Sequence, residues 1–368
     1  MNAAGDVQAQ LGIQLCCNRE WARALDLLDP LLQAEPQRYV ARLFLGLAQR
    51  QVGEADHGAR NCLRALQDAR RLGYWRDNST TPAWLRHYVK AGVAVVADFQ
   101  RTRLHAAIAR AREEQQLPDT GRIDRFVDGY VEGLLINPDD PRQQPKKHLI
   151  PGVPASPWID TALLPWVSVL ESNWDTIRNE FLAIHAGASG VESFLKFTSP
   201  SQIPRYLTGN GVSPSWDAYF FYRHGVRNEE NCARCPQTAA LLETLPLFRV
   251  PGFAPEICFS ILSPGTRILP HRGDSNARVV VHLPLVVPEG CALKVAGEAR
   301  AWHEGRVMVF DDTYEHEAWN NSGHFRAILL LDAWNPHLTE SEQRAFVAVT
   351  SEIHRLGQLL AMGADSSA

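Results

Sequence analysis

Residues 256–334 read EICFSILSPGTRILPHRGDSNARVVVHLPLVVPEGCALKVAGEARAWHEGRVMVFDDTYEHEAWNNSGHFRAILLLDAW, a run of short apolar segments cut by tight turns. Segments 256–262, 277–287, 291–296, 299–303, 306–310, 315–320 and 324–333 have strand character, and 216–222 precedes them in the same pattern. The breaks are Pro264-Gly265, Pro288-Glu289-Gly290, Ala296-Gly297, Glu304-Gly305, Asp311-Asp312 and Asn321-Ser322-Gly323, each with turn-forming chemistry. Many short strands with tight turns predict a two-sheet jelly roll, the double-stranded β-helix of cupin-like proteins.

Within that run His271 and His316 lie 45 residues apart, and Arg326 follows ten residues after the second. His271 falls after a strand and before a loop, which aims its ring into the mouth of such a barrel. His316 is expected to open a strand on the opposite wall. Two neutral imidazoles suit divalent iron. The usual non-haem site adds a carboxylate two residues after the first histidine, but that position is Gly273. A two-histidine site leaves one more coordination position for water, which groups around the ligands must then hold. Asp274, one step off, is an alternative third ligand. Either ring alone reads as a hydrogen-bonded core histidine; the pair, the arginine and the strand order together favour a metal. Arg326 stands among apolar neighbours, and a buried guanidinium without an anion is costly. A bidentate partner is expected, either a fixed Asp or Glu or the carboxylate of a cosubstrate.

Upstream the pattern changes. Residues 137–158 are proline-rich and lack apolar periodicity, which marks a linker or a loop wrapped over the next domain. Residues 160–186 have helical spacing, as do 82–116 and 339–361. Residues 5–70 form helical hairpins in which Leu11-Gly12 recurs as Leu45-Gly46, 34 residues later, the tetratricopeptide period. The expected organisation is a helical tetratricopeptide-like domain over 1–136, a proline-rich linker over 137–158, and a jelly-roll domain with flanking helices over 159–368, an α+β chain. Two clear repeats are few for a free-standing solenoid, so the helices serve either as a brace on the core or as a peptide-binding or dimerisation surface.

The bulk numbers exclude several classes. A net charge of −4 with no Lys/Arg run leaves no nucleic-acid stripe. The first residues, MNAAGDVQAQLG, have no basic segment followed by an apolar core, and no window is apolar enough to span a membrane. The seven cysteines are odd in number and scattered, which suits reduced thiols in a cytoplasmic protein. Cys232-Ala-Arg-Cys235 has no second such pair and no nearby histidine pair, so both read as loop cysteines rather than a zinc or redox site.

From about Pro151 to Thr339 the chain resembles the aspartyl/asparaginyl β-hydroxylase family of 2-oxoglutarate oxygenases. The matching motifs are Tyr222-Arg-x-Gly-x-x-Asn228-Glu, Ser263-Pro-Gly265-Thr, Pro270-His271-x-Gly273, His282-Leu-x-Leu, Trp302-x-Glu-Gly305, Phe310-Asp-Asp-x-x-Glu-His316-Glu-x-Trp319, Phe325-Arg326 and Asp332-x-Trp334-x-Pro336-x-Leu-Thr339. They cover about half the chain, and the family shares the histidine-x-glycine departure. The resemblance implies that His271 and His316 bind iron(II), and that Arg326 holds 2-oxoglutarate with Ser260 and His282. Asp312 would orient the water that replaces the missing ligand. The implied reaction uses O2 to hydroxylate the β carbon of an Asp or Asn residue in a peptide, a protein or a carrier-bound amino acid. Two departures stand out. The animal enzymes carry an arginine where this chain has Val280, leaving Arg278 as the nearby cation for catalysis. They also carry a paired cysteine in the loop near 232–239, where this chain has Ala239. Two alternatives remain open: a halogenase, since a lost carboxylate makes room for chloride, and a non-catalytic binding protein in which repeats recognise a partner.

Overall fold

The computed structural model describes residues 3–133, 137–187, 190–196, 199–209 and 213–365, without the side chains of residues 200 and 359–365. The expected boundary at 136 touches residues 134–136, which lie outside the described ones. The described residues divide into two compact units. One comprises those of Met1–Arg110, Val131–Gly133 and Glu352–Ala368; the other, those of Ala111–Tyr130 and Leu134–Ser351.

The first unit is helical, with α1 (Ala3–Cys17), α2 (Trp21–Ala34), α3 (Tyr39–Gln51), α4 (Ala55–Arg71) and most of α5 (Arg86–Gln115). Leu28, Leu31, Leu43, Phe44, Cys62 and Leu66 form its core. The two recurring glycines do equivalent work. A Cβ on Gly12 would meet Leu28 of α2 at 2.5 Å, and one on Gly46 would lie 2.6 Å from the Gly58 carbonyl of α4. At Gly46 the neighbour is backbone and cannot give way, whereas at Gly12 it is the Leu28 side chain.

The second unit holds most of α6 (Gly121–Glu132), then α7 (Val167–Ser172), α8 (Trp174–Gly187), α9 (Glu229–Arg234), α10 (Pro236–Glu243) and the start of α11 (Glu340–Asp365). Its strands are β1 (Glu192–Ser193), β2 (Leu207–Gly209), β3 (Trp216–Arg223), β4 (Val226–Arg227), β5 (Ile257–Leu262), β6 (Thr266–His271), β7 (Arg278–Val286), β8 (Cys291–Val295), β9 (Glu298–Ala301), β10 (Met308–Phe310), β11 (His316–Asn320) and β12 (Arg326–Trp334). They form two antiparallel sheets. One runs β1-β3-β5-β12-β7-β10 with β4 beside β3, and the other runs β2-β6-β11-β8-β9.

Burial of both faces explains the near-continuous apolar run of β7. Val279, Val281, Leu283 and Leu285 join Leu329 and Leu331 of β12, Phe259 of β5 and the helices at 167–187 in one core. The alternate positions face the other sheet, where Val280, Leu262 and Phe310 pack with Ile268, Leu293, Val295 and Ala318. Period-two alternation therefore sends Ser260, His282 and Arg326 to that inner face.

Two local outcomes differ from expectation. The expected strands include no range for β6, although His271 is expected to follow a strand; Pro270 interrupts the apolar pattern of TRILPH. The proline is accommodated at a register shift between His316 and Ala318 on the partner strand. The segment with Cys232 and Cys235 is helical rather than a loop: Asn228 caps α9 by accepting the Asn231 N–H, and Pro236 opens α10. Both cysteines are buried, unpaired thiols. Burial raises the pKa of each.

Candidate active site

His271 ends β6 and His316 begins β11, and the two are direct cross-strand partners. This corrects the expectation of opposite walls. Antiparallel pairing places their side chains on one face of one sheet, with ring centroids 4.0 Å apart. The His271 Nδ1 donates to the Leu269 carbonyl at 2.8 Å, and the His316 Nδ1 donates to the Tyr314 carbonyl at 3.0 Å. A carbonyl only accepts, so each Nδ1 carries the proton and each Nε2 keeps a lone pair. Burial lowers the pKa of both rings; Lys146 adds to the effect on His271, and the neighbouring His271 adds to that on His316. Two neutral imidazoles with outward lone pairs are the donor set a soft-to-borderline divalent metal takes.

No group of three or more His, Cys, Asp or Glu side chains is placed to hold a metal among the described residues. Asp274, the alternative third ligand, is ion-paired to Lys147 at 2.7 Å. What stands beside the histidines is Asp312. A Cβ built on Gly273 would lie 2.0 Å from its Oδ2, and the Gly273 N–H donates to its carbonyl at 2.6 Å. The Asp312 carboxylate thus fills the space that a side chain on residue 273 would take. Its Oδ2 accepts from Arg278 at 2.6 Å, while Oδ1 is buried with no partner. Burial pushes the Asp312 carboxyl up to about 7, against the opposing pull of Arg278. Burial also opposes the charge of Arg278, but Asp312 and Asp332 outweigh it and hold that guanidinium protonated. Arg278, expected as the cation nearest a substrate, is already bound by these two carboxylates.

The other sheet supplies the cation. Arg326 is 1% exposed, and its Nε has no partner. Its Nη1 donates to the carbonyl and Oγ of Ser260 at 3.3 and 3.4 Å, and its guanidinium lies 4.8 Å from the Trp302 ring centroid. No carboxylate pairs with it among the described residues. Burial lowers its pKa to about 10. His282, on the neighbouring strand β7 in register with Leu330 and Met308, is also buried, and burial, reinforced by Arg326, lowers its pKa to about 3. The Trp302 N–H donates to its Nδ1 at 3.3 Å, so the proton of the neutral ring sits on Nε2 as a donor.

These residues share one cavity of about 380 Å³ between the sheets, lined by His271, His316, Asp312, Arg326, Ser260 and His282. Residues 137–158 pin both histidine-bearing segments from outside. Gln143 donates to Asp311 at 2.7 Å, Gln144 N–H to the Thr313 carbonyl at 3.0 Å, and Lys146 N–H to the Gly273 carbonyl at 2.9 Å. Sequence reasoning expected a linker or a wrapped loop over 137–158, but gave no cavity-facing role to Asp332 or to Trp302, the ring over Arg326, because a single Asp or Trp carries no local signal of such a role.

Residues 171–336 match the family model described as aspartyl/asparaginyl beta-hydroxylase. The chain is 37% identical over 203 residues to the human aspartyl/asparaginyl beta-hydroxylase, covering 54% of this chain and 25% of that protein. It is 32% identical over 183 residues to the ornithine lipid ester-linked acyl 2-hydroxylase of Rhizobium tropici, covering 49% of this chain and 61% of that one. The chain thus spans a quarter of the human relative's length. Among solved structures, a prolyl-4-hydroxylase from Pseudomonas putida aligns at 15% identity with a TM-score of 0.28, covering 47% of this chain and 98% of that one. No helix of the described residues is long and apolar enough to cross a membrane.

Proposed function

Because the chain carries an aspartyl/asparaginyl β-hydroxylase homology domain, we propose that it is an iron(II)- and 2-oxoglutarate-dependent dioxygenase. It hydroxylates a side-chain carbon, the β carbon of an Asp, an Asn or a related residue, in a peptide or a carrier-bound amino acid. The two sheets are then the jelly roll of the oxygenase, over 159–368, and the hairpins of 1–136 a tetratricopeptide-like domain.

The observation that carries this reading is Arg326, a buried guanidinium with no carboxylate paired to it among the described residues, facing the cavity that two lone-pair imidazoles also face. Such a charge carries a desolvation cost that a ligand carboxylate would offset. The donor set fits the metal, and the neutral Nε2 atoms of His271 and His316 would hold it. Arg326, the Ser260 hydroxyl and the His282 Nε2–H would grip the distal carboxylate of 2-oxoglutarate. When bound, iron and 2-oxoglutarate supply the oxidising power, with succinate and CO2 as coproducts. The unpartnered Oδ1 of Asp312 is placed to accept a hydrogen bond from a water that takes the position of the absent third ligand. Arg278 fixes that carboxylate. Phe310, Leu293 and Trp216 form apolar walls that exclude bulk water.

The test is anaerobic loading with iron(II) and 2-oxoglutarate, followed by oxygen and a peptide library. Succinate release with a product heavier by one oxygen atom supports the reading. A chloride-dependent product mass would instead make the protein a halogenase, and absence of cosubstrate binding would leave a binding protein.

A further inference from the structure

Three separate segments bring a cation to the His271 end of β6. Arg272 follows His271 directly. Its Nη1 donates to Glu315, the residue before His316, at 3.2 Å, while its Nε is buried with no partner. The Tyr206 carbonyl accepts the Leu269 N–H at 2.8 Å, which holds Arg205, the last residue of a short 3-10 segment (Pro200–Arg205), near that end of the strand. The Lys146 N–H donates to the Gly273 carbonyl at 2.9 Å. Arg205, Arg272 and Lys146 all line the cavity that the two histidines face.

The carboxylates of the cavity are engaged elsewhere. Asp312 and Asp332 share Arg278 at 2.6 and 2.5 Å, Asp274 is paired with Lys147 at 2.7 Å, and Glu256 accepts the His224 N–H at 2.7 Å. Lys146 and Arg205 are exposed, and neither has a carboxylate partner among the described residues. Their place is what sets them apart from other surface cations. A peptide advances by about 3.3 Å per residue when extended, so a residue that sends its side chain towards the histidines holds its neighbours over this rim. Charges of one sign around a cleft with apolar walls also concentrate the field that an approaching ligand meets.

We propose that Lys146, Arg205 and Arg272 form a cationic rim that selects a peptide carrying an acidic residue within two positions of the one oxidised. This rests on the oxygenase reading and adds a sequence requirement to its peptide substrate. A flanking carboxylate pairs with Lys146 or Arg205 and accepts the free Nε–H of Arg272. A flanking lysine is repelled by the same three charges.

The test is peptide binding to the full chain loaded with manganese(II) and 2-oxoglutarate without oxygen. Three capped peptides share a central asparagine and differ only in the residues one and two positions to each side, which are all Glu, all Gln or all Lys. The glutamate peptide is expected to bind roughly three- to tenfold more tightly than the glutamine one at low salt, and the lysine peptide more weakly than both. The chain's net charge of −4 by itself favours the opposite order, so the preference reports the rim. The margin should shrink as salt is raised. Lys146→Glu combined with Arg205→Glu, both at exposed positions, should turn the order in favour of lysine. No advantage for the glutamate peptide in the unaltered chain, failure of all three to bind included, overturns the proposal. An unchanged order in the folded double variant also overturns it. Binding of 2-oxoglutarate is measured on the same samples: its loss defeats the oxygenase reading, whereas intact cosubstrate binding with no preference for glutamate defeats only the present inference.

Discussion

The carboxylate of Asp312 occupies the volume that a side chain on residue 273 would need, with Oδ2 2.0 Å from the place of a Cβ. The two positions are therefore coupled: glycine at 273 and a carboxylate at 312 are one arrangement. Gly273→Ala should cost about 1–3 kcal/mol by overpacking. The penalty should shrink when Asp312→Ala is added, since the second change removes the clash. A double-mutant cycle from urea denaturation midpoints measures this coupling. Strictly additive penalties would mean that the two residues do not share the space.

The cross-strand histidines lead to a metal prediction. His271→Ala and His316→Ala should each reduce manganese(II) or iron(II) affinity by at least about 10–100-fold, the range for disturbing a metal site. Asp274→Ala should leave it nearly unchanged, because that carboxylate is engaged by Lys147 at 2.7 Å. Equilibrium dialysis under nitrogen gives all three values. A large loss with Asp274→Ala would restore it as a ligand.

The strand periods, the helical hairpins and the histidine pair could all be read from the chain, because each leaves a local pattern. Val279 to Leu285 alternate with Val280 to His282 whatever the partner strand is. Registry across strands leaves no such trace. His316 beside His271 rather than opposite it is set by β6 pairing with β11. The engagement of Arg278 by Asp312 and Asp332, which lie 34 and 54 residues away, is likewise a product of topology.

His148 offers a pH test away from the histidine pair. Its ring packs against Phe126, Tyr130 and Phe346 at centroid distances of 5.5, 6.0 and 5.9 Å, and its Nδ1 has no partner. Burial, with help from Lys147, lowers its pKa to about 4. The unfolded chain, at about 6.5, takes up the proton first as pH falls. The group's contribution is thus complete above about pH 6.5 and is lost progressively towards pH 4, by about 2–3 kcal/mol in total. His148→Phe should flatten this part of the stability profile. The measurement is the difference between the two proteins in urea midpoint at pH 7 and at pH 4.5. An identical acid loss in both would show that His148 is not protonated only on unfolding.

Arg326 gives two opposite effects from one substitution. Its guanidinium is 1% exposed and lacks a carboxylate partner among the described residues. Removing an uncompensated buried charge relieves a desolvation cost that the ligand-free protein bears alone. Arg326→Leu should therefore raise the stability of the ligand-free chain, by about 1–4 kcal/mol if repacking is good. The same change should weaken 2-oxoglutarate binding by about 2–5 kcal/mol, the cost of breaking a buried charge pair. Thermal unfolding with and without metal and cosubstrate separates the two. The unaltered protein should gain a large ligand-dependent stabilisation, whereas the leucine variant starts higher and gains little. If Arg326→Leu instead lowers the stability of the ligand-free chain, the guanidinium has a structural role through Ser260 and Trp302. A ligand-dependent gain equal to that of the unaltered protein would remove Arg326 from cosubstrate binding.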